Sequence, residues 1–285
     1  MTATAETGFR SEITDGVLRL TFDRPKRMNA IDLPTMTAFA AAVHDGGADP
    51  AVRTIVITGS GRAFCTGADL AAAAVNPADP KVVMDAATSL IRAITSAPVP
   101  VIAAVNGPAA GVGVSIALAA DLTYAASSAY FLLSFVNIGL MPDGGAVRWY
   151  RQRSDAPSAE MALLGERVSA EDAERFGLVS RTVADDAFDA LVDSVVDRTS
   201  KAPRRALELT KRALNAATLD RSMLRWSSKI PARQNFSLAR TSKKARWRCC
   251  RNARPTSSNH CEFSLTKPLY ESTAHCSLSH TITHA

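Results

Sequence analysis

The hydrophobic pattern of the chain changes from alternating strands and helices in the first half to helices alone in the second. Alternating apolar and polar residues predict a strand over 16–22, and short β-rich apolar runs predict strands over 52–58, 101–105, 122–125 and 130–133. Aspartates at N-capping positions begin two predicted helices, which run from Asp32 to about Val43 and from Asp79 to about Ser96.

The later pattern is helical. Small residues over 109–120 predict a helix that must pack closely against another element. From residue 146 onward the spacing predicts helices over 157–164, 170–176, 187–199, 203–216 and 219–238, with Pro231 breaking or kinking the last. Strands that alternate with helices and then give way to helices predict the α/β class, with a helical C-terminal part.

Composition narrows the class of protein. With 285 residues, 47% of them hydrophobic, the chain can bury a sizeable core. The most apolar stretch, 99–120, contains an Asn-Gly-Pro turn and further glycines, so it fits a strand and a buried helix better than a membrane span. Residues 1–11 are polar and lack the apolar core of a secretory signal. With Cys65 the single cysteine of the first 242 residues, we expect a disulfide-free cytoplasmic protein.

The positive charge is concentrated in the C-terminal tail, residues 243–285. The tail carries seven basic residues against two glutamates, which leaves only +1 of the net charge of +6 for residues 1–242. The body of the chain is therefore nearly neutral, and its charge gives no indication of a nucleic-acid partner.

The tail also holds four of the five cysteines and four of the five histidines. A zinc- or nucleic-acid-binding tail is one interpretation, but no C-x-x-C pair is present to complete a zinc site. The alternative is a shifted reading frame. Restoring one nucleotide after a plausible codon for Ser242 converts the following residues to S-E-E-G-A-M-A-L-L-Q-K-R-P-P-D-F, a good helix former with a proline stop. We hypothesise a frameshift near Lys243, which leaves 243–285 out of frame and disordered.

Four segments of the body carry candidate chemistry: D-R-P-K-R-M-N-A over 23–30, G-S-G-R-A-F-C-T-G-A-D-L over 59–70, A-V-N-G-P-A-A-G-V-G-V-S-I-A-L-A-A-D over 104–121, and F-V-N-I-G-L-M-P-D-G-G over 135–145. Two of them are glycine-rich junctions between a strand and a helix, which leave backbone N–H groups free to face a ligand. Two such junctions that meet could form a two-donor oxyanion hole, although glycine-rich turns are usually only turns.

Together these segments resemble the crotonase superfamily, the enoyl-CoA hydratase/isomerase family, over about 17–238. The resemblance implies a spiral of ββα units over 1–200 and a helical trimerisation region over 201–242. It also implies acyl-CoA thioester substrates, assembly as a homotrimer or a dimer of trimers, and no cofactor beyond the coenzyme A of the substrate. The family stabilises a thioester enolate with two backbone N–H groups.

The resemblance places those two donors at Ala68 and Val112. A valine replaces the usual glycine at 112. Because the donor is the main-chain N–H, the valine narrows the site but does not remove the donor. The resemblance assigns substrate binding to Arg24, Lys26, Arg27, Ala30, Arg62, Ala63, Phe64, Asp69, Leu70, Ser115 and Phe135. Basic side chains suit the anionic CoA, although Arg24, Lys26 and Arg27 could equally form a solvated turn. Asp69 is expected to order the oxyanion loop through hydrogen bonds.

The chain departs from the hydratase pattern at two positions. Hydratases of this family activate water with two glutamates, and the matching positions here are Ser115 and Phe135. Neither side chain exchanges a proton near neutral pH, so efficient hydration by the usual route is not expected.

One carboxylate remains in this region, Asp143 in the sequence M-P-D-G-G. The surrounding stretch is similar to the isomerase branch, which includes the ring-expansion isomerases of phenylacetate degradation and in which an aspartate here is the implied acid/base. An apolar wall containing Phe135 would raise the pKa of this carboxyl. The alternative is that Asp143 caps a following helix.

The leading hypothesis is an enoyl-CoA isomerase that acts through an enolate, and the alternatives are a weak hydratase and a non-catalytic acyl-CoA-binding protein. Residues 1–242 show no metal-ligand pattern, and Gly111-Val112-Gly113 lacks the third glycine of a nicotinamide-binding fingerprint. We therefore expect no metal, no nucleic-acid partner and no membrane span.

Overall fold

The computed structural model of the chain describes residues 7–140, 142 and 155–219. Within these ranges the strands are β1 (Phe9–Thr14), β2 (Val17–Phe22), β3 (Thr54–Gly59), β4 (Val101–Val105), β5 (Ala109–Ala110), β6 (Leu122–Ala126), β7 (Tyr130–Leu132), β8 (Arg167–Ser169) and β9 (Arg181–Val183). The helices are α1 (Leu33–Ala48), α2 (Leu70–Val75), α3 (Pro80–Ser96), α4 (Val112–Ala119), α5 (Asp155–Leu164), α6 (Ala170–Arg175), α7 (Phe188–Lys201) and α8 (Arg204–Leu219).

The strands form two sheets, and the chain passes repeatedly between them. The larger sheet has the order β1-β2-β3-β4-β6-β9, antiparallel at the β1–β2 pair and parallel elsewhere. The smaller sheet has the order β5-β7-β8. The chain runs from β4 to β5 and then, after α4, from β6 to β7, so each of these two turns adds one strand to each sheet. This arrangement confirms the predicted α/β class and agrees with a spiral of ββα units.

The predicted elements agree with the structure where the local pattern is strong. The helix predicted from Asp79 to about Ser96 is α3, and the strand predicted over 101–105 is β4. The side chain of Asp32 accepts a hydrogen bond from the Thr35 amide at 2.9 Å, which confirms this residue as the cap of α1. The predicted helix over 219–238 and the tail 243–285 lie outside the described residues, except for Leu219 at the end of α8.

Two of the predictions were wrong. The helix predicted from 109 begins only at Val112, because Ala109 and Ala110 pair with Phe131 and Leu132 as β5. The second half is not purely helical either. It contains β8 and β9, three-residue strands too short to show a periodicity of their own.

Aromatic packing in the core fixes one of the loops that matter for function. Phe22 on β2 stacks on Phe39 of α1 with ring centroids 4.5 Å apart, and it meets Phe64 edge-on at 5.9 Å. All three rings are fully buried. The loop after β3 is therefore anchored to the core through Phe64, and the residues that follow it have a defined position.

A buried ion pair attaches the last described helix to the core. The ammonium of Lys211 on α8 lies 2.8 Å from the Asp121 carboxylate and donates to the carbonyl oxygens of Ile94 and Val99. The same carboxylate accepts a hydrogen bond from the Val101 amide at 2.8 Å. Burial lowers the pKa of Lys211, and the neighbouring Asp121 charge opposes that shift.

Candidate active site

The two glycine-rich junctions meet in the structure. Gly67 has φ +97° and Gly111 has φ +54°, backbone conformations that favour glycine. A Cβ placed on Gly67 would lie 2.9 Å from the Ala110 carbonyl oxygen and 3.6 Å from the Gly111 Cα. The two loops are thus in direct backbone contact, and each glycine is followed at once by a predicted oxyanion donor, Ala68 or Val112.

Both predicted donors keep their amide hydrogens available. The Ile31 amide donates to the Gly67 carbonyl at 2.9 Å and the Asp69 amide donates to the Ile31 carbonyl at 2.8 Å, so the backbone is tied on both sides of Ala68. Val112 is the first residue of α4, a position whose N–H has no partner within the helix. Within the described part of the chain, neither the Ala68 amide nor the Val112 amide donates a hydrogen bond. Two unused donors therefore stand on adjoining loops.

Further backbone pairing fixes the relative position of these loops. Cys65 pairs with Ala109 in a parallel bridge, and the Ala110 amide donates to the Cys65 carbonyl at 2.9 Å. The Gly111 amide donates to the Leu132 carbonyl at 2.9 Å. Gly113 admits no side chain, because a Cβ there would overlap the Cys65 carbonyl oxygen. Backbone hydrogen bonds therefore join the two loops that carry the predicted donors, which suits electrostatic preorganisation.

An apolar wall stands next to the donors. A Cβ placed on Gly111 would lie 3.7 Å from Cζ of the Phe135 ring, so this ring covers the α4 junction. Phe135 is 7% exposed, and Ser115, one turn after Val112 on α4, is fully buried. The two positions where hydratases of the resembled family carry glutamates therefore present a ring and a hydroxyl. Asp143 lies outside the described residues.

Among the basic residues predicted to bind CoA, one forms close contacts within the protein and the others are exposed. The Arg24 guanidinium lies 2.9 Å from the Asp69 carboxylate and donates to the Ala30 carbonyl at 2.8 Å. Arg27 reaches the same carboxylate only at 3.4 Å, and its side chain is 55% exposed. Lys26 is exposed on the short 3₁₀ turn that contains Arg27.

The remaining predicted positions surround the loop after β3. Arg62 is exposed, and its Nε lies 3.0 Å from the sulfur of Met28. Ala63 and Phe64 are buried, whereas Leu70 at the start of α2 is half exposed. Asp69 caps α2 by accepting a hydrogen bond from the Ala72 amide at 3.0 Å, in agreement with its expected role in ordering the loop.

Sequence reasoning missed two asparagines that hold the loop over 59–64. The buried Asn29 side chain donates to the Ser60 and Ala63 carbonyls, at 2.9 Å and 2.7 Å, and accepts from the Arg24 amide at 2.9 Å. Asn106 donates to the Gly61 carbonyl at 3.0 Å from the other side. Asn29 has φ +56°, a conformation that asparagine tolerates better than most residues. An asparagine inside the D-R-P-K-R-M-N-A segment was the available signal.

Cys65 does not add a nucleophile to the site. It is fully buried, and burial raises the pKa of its thiol to about 12. Among the described residues, no cluster of histidine, cysteine, aspartate or glutamate is arranged to hold a metal ion. No helix in the described ranges is long and apolar enough to cross a membrane.

Comparisons with known proteins agree with the motifs and the fold. The family model of enoyl-CoA hydratase/isomerase matches residues 12–243. A protein of Rhodobacter capsulatus named "Probable enoyl-CoA hydratase" is 41% identical over 209 residues, which cover 73% of this chain and 80% of that protein. The 1,2-epoxyphenylacetyl-CoA isomerase of Escherichia coli is 35% identical over 219 residues, which cover 74% and 84%.

A crystal structure of an enoyl-CoA hydratase from Mycobacterium avium subsp. paratuberculosis superposes with a TM-score of 0.72 at 40% identity, covering 78% of this chain and 89% of that one. The chain therefore belongs to the enoyl-CoA hydratase/isomerase family of the crotonase superfamily, a family of enzymes.

Proposed function

We propose that the chain is an isomerase that moves a double bond of an enoyl-CoA through a thioester enolate. The observation that carries this proposal is the backbone contact between Gly67 and Gly111, the residues that precede Ala68 and Val112. Within the described part of the chain, neither of those two amides donates a hydrogen bond. Two preorganised N–H donors stabilise a developing oxyanion by several kcal/mol in a site shielded from water.

The reaction needs one base that later acts as an acid. A carboxylate removes a proton from C2 of a 3-enoyl thioester, and the resulting dienolate carries its charge on the thioester oxygen, where the amides of Ala68 and Val112 donate. The same carboxylic acid then returns the proton to C4, which leaves the conjugated 2-enoyl isomer. No water is consumed and the composition of the substrate is unchanged. We assign the carboxylate role to Asp143.

The apolar wall favours this reaction over hydration. Water addition needs a held water molecule and groups that exchange its protons. Phe135 offers neither, and Ser115 has no acid or base function near neutral pH. An isomerase needs no such water, so the same wall protects the enolate from side reactions.

The relatives support two different reactions within the same family. The relative named 1,2-epoxyphenylacetyl-CoA isomerase supports rearrangement and extends the candidate substrates to cyclic acyl groups. The relatives named enoyl-CoA hydratase support hydration as the second candidate. Both reactions take an acyl-CoA thioester, and both would use the same two amides.

The test of the proposal is Asp143→Asn, with Asp45→Asn as a matched control because Asp45 is exposed at the end of α1. Turnover of a 3-enoyl-CoA should fall about 10²–10⁴-fold in Asp143→Asn, the usual contribution of general acid–base catalysis, and should not change in the control. Wild-type rates in Asp143→Asn would remove Asp143 from the mechanism. Tight binding of acyl-CoA without turnover by the wild type would instead identify a binding protein.

A further inference from the structure

We propose that Arg24 and Asp69 form a positioning pair that holds the oxyanion amide of Ala68, and that Arg24 is not a ligand of coenzyme A. This inference rests on the proposed function of the site, because it explains how one of the two donors is kept in place. It separates Arg24 from Arg27, two residues that the sequence assigned to the same role.

The contacts of Arg24 close a ring of interactions next to Ala68. One guanidinium nitrogen donates to the Asp69 carboxylate at 2.9 Å, and the other donates to the Ala30 carbonyl at 2.8 Å. Asp69 is joined to Ala68 by a peptide bond. Ala30 is joined to Ile31, whose carbonyl accepts the Asp69 amide at 2.8 Å. Arg24 therefore ties the segment that contains Ala68 and Asp69 to the segment that contains Ala30 and Ile31.

The Arg24–Asp69 pair is largely buried, which strengthens the attraction between its charges. The Asp69 side chain is only 4% exposed and Arg24 is 23% exposed, so water screens their attraction weakly. One carboxylate oxygen of Asp69 caps α2 through the Ala72 amide, and the other accepts from Arg24. Removing either partner would leave a charged group at this position without its strongest contact, and such losses are costly.

Arginine is suited to this position for a geometric reason. Its planar guanidinium presents two N–H donors at a fixed separation, so it can serve Asp69 and Ala30 together. Lysine carries the same charge on a single nitrogen and cannot reproduce both contacts in the same geometry. Arg24→Lys is therefore expected to preserve the charge of the loop while loosening the ring of interactions next to Ala68.

Arg27 differs from Arg24 in exposure and in contact distance. Its side chain is 55% exposed, and its contact with Asp69 is 3.4 Å long. Exchanging that contact for an anionic group of the ligand would cost little, because the contact is long and the Arg27 guanidinium is largely in water. Arg27 is therefore the arginine available to bind the phosphates of coenzyme A, and Arg24 is already committed to the fold of the oxyanion loop.

The experiment uses 4-(dimethylamino)cinnamoyl-CoA, whose absorption moves to longer wavelength when hydrogen-bond donors polarise its thioester carbonyl. Spectra of the bound probe report on the oxyanion hole without any turnover. The wild type should show a red shift. Arg24→Lys and Asp69→Asn should lose most of that shift, and Arg27→Gln should keep it while its dissociation constant for the probe rises about 5–10-fold, as expected for one lost charge contact.

Arg175→Gln is the matched control, because it removes an exposed arginine that pairs with Asp172 on α6. Arg24→Lys keeps the charge, so it is the decisive variant even where Asp69→Asn does not fold. A full red shift in Arg24→Lys would overturn the positioning role. Absence of binding, or of any red shift, in the wild type would instead contradict the proposed function itself.

Discussion

Gly67 lies against Gly111, so that a Cβ placed on Gly111 would be 3.7 Å from the Gly67 Cα. The contact places the two donor amides on adjoining backbone segments. Both glycines have a positive φ, which disfavours a side chain, and at Gly67 an added Cβ would also lie too close to the Ala110 carbonyl.

We predict that Gly67→Ala abolishes most turnover, by about 10²–10³-fold, because displacement of its loop removes one oxyanion donor. The substitution introduces a methyl group 2.9 Å from the Ala110 carbonyl oxygen, a contact that backbone atoms must relieve by moving apart. The measurement is the initial rate with a 3-enoyl-CoA.

Gly139→Ala is the control for this prediction. Gly139 has φ +71°, but none of the described residues lies within 4 Å of an added Cβ, so the variant carries the strain of about 1–2 kcal/mol without the clash. Equal rates in the two alanine variants would show that the Gly67 contact does not hold the donor in place.

The buried pair of Lys211 and Asp121 should stabilise the attachment of α8 to the core. Lys211→Met leaves the Asp121 carboxylate without its ammonium partner, and we expect a loss of about 2–4 kcal/mol of unfolding free energy. Lys201→Met is the matched control. Lys201 forms an exposed pair with Asp197, so its loss should cost about 0–1 kcal/mol. Urea unfolding of the three proteins measures both values, and a similar small loss in each would contradict the assignment.

The same lysine predicts a pH dependence of stability. Burial lowers the pKa of Lys211 below its usual value of 10.5, so the unfolded chain binds more protons than the folded chain between the two values. Stability linked to this group therefore rises with pH across that interval. As the pH approaches 10.5, the unfolding free energy of the wild type should increase relative to that of Lys211→Met. A difference that shrinks with rising pH would contradict the direction of the shift.

The tail after Ser242 yields a prediction about assembly. The family match ends at residue 243, where the composition changes. If a lost nucleotide displaced the reading frame there, a chain with the restored frame should form a stable trimer in analytical ultracentrifugation and the present chain should not. The nucleotide sequence gives a direct check, since codons that cannot encode S-E-E-G-A-M-A-L-L in the second frame would exclude the frameshift. A stable trimer of the present chain would also count against it.

The sequence predicted elements whose signal is local, and it missed those that depend on distant contacts. Asp32, Asp79 and the apolar strand over 101–105 carry their own signals, and the structure confirms all three. The pairing of Ala109–Ala110 with β7 is made with residues about twenty positions away, so local pattern favoured a helix. Strand β1 was not predicted. The Asp15-Gly16 turn, which has positive φ at both residues, is typical of a β-hairpin and indicates a strand before β2.

Helix α1 extends beyond its predicted end. The helix continues through Gly46 and Gly47 to Ala48, beyond the predicted end near Val43. A Cβ on Gly46 would overlap the Leu18 side chain, and one on Gly47 would lie 3.1 Å from Pro98. These glycines permit close packing within a helix, a requirement that only the tertiary structure reveals.

The candidate site could be predicted in its backbone but not in its side-chain connections. The motif order predicted that the turns before Ala68 and Val112 form the site, and the structure brings those two turns into contact. It could not show that Arg24 is engaged by Asp69, or that Asn29 holds the neighbouring loop, since both contacts join segments more than thirty residues apart.

The most direct test of the account is a single turnover of a 3-enoyl-CoA by the purified protein in ¹⁸O-labelled water, followed by mass and ultraviolet absorbance. Isomerisation at the site of Ala68 and Val112 predicts a conjugated 2-enoyl thioester of unchanged mass and without label. A product that has gained one molecule of labelled water would contradict the account, because water activation requires groups that Ser115 and Phe135 do not supply.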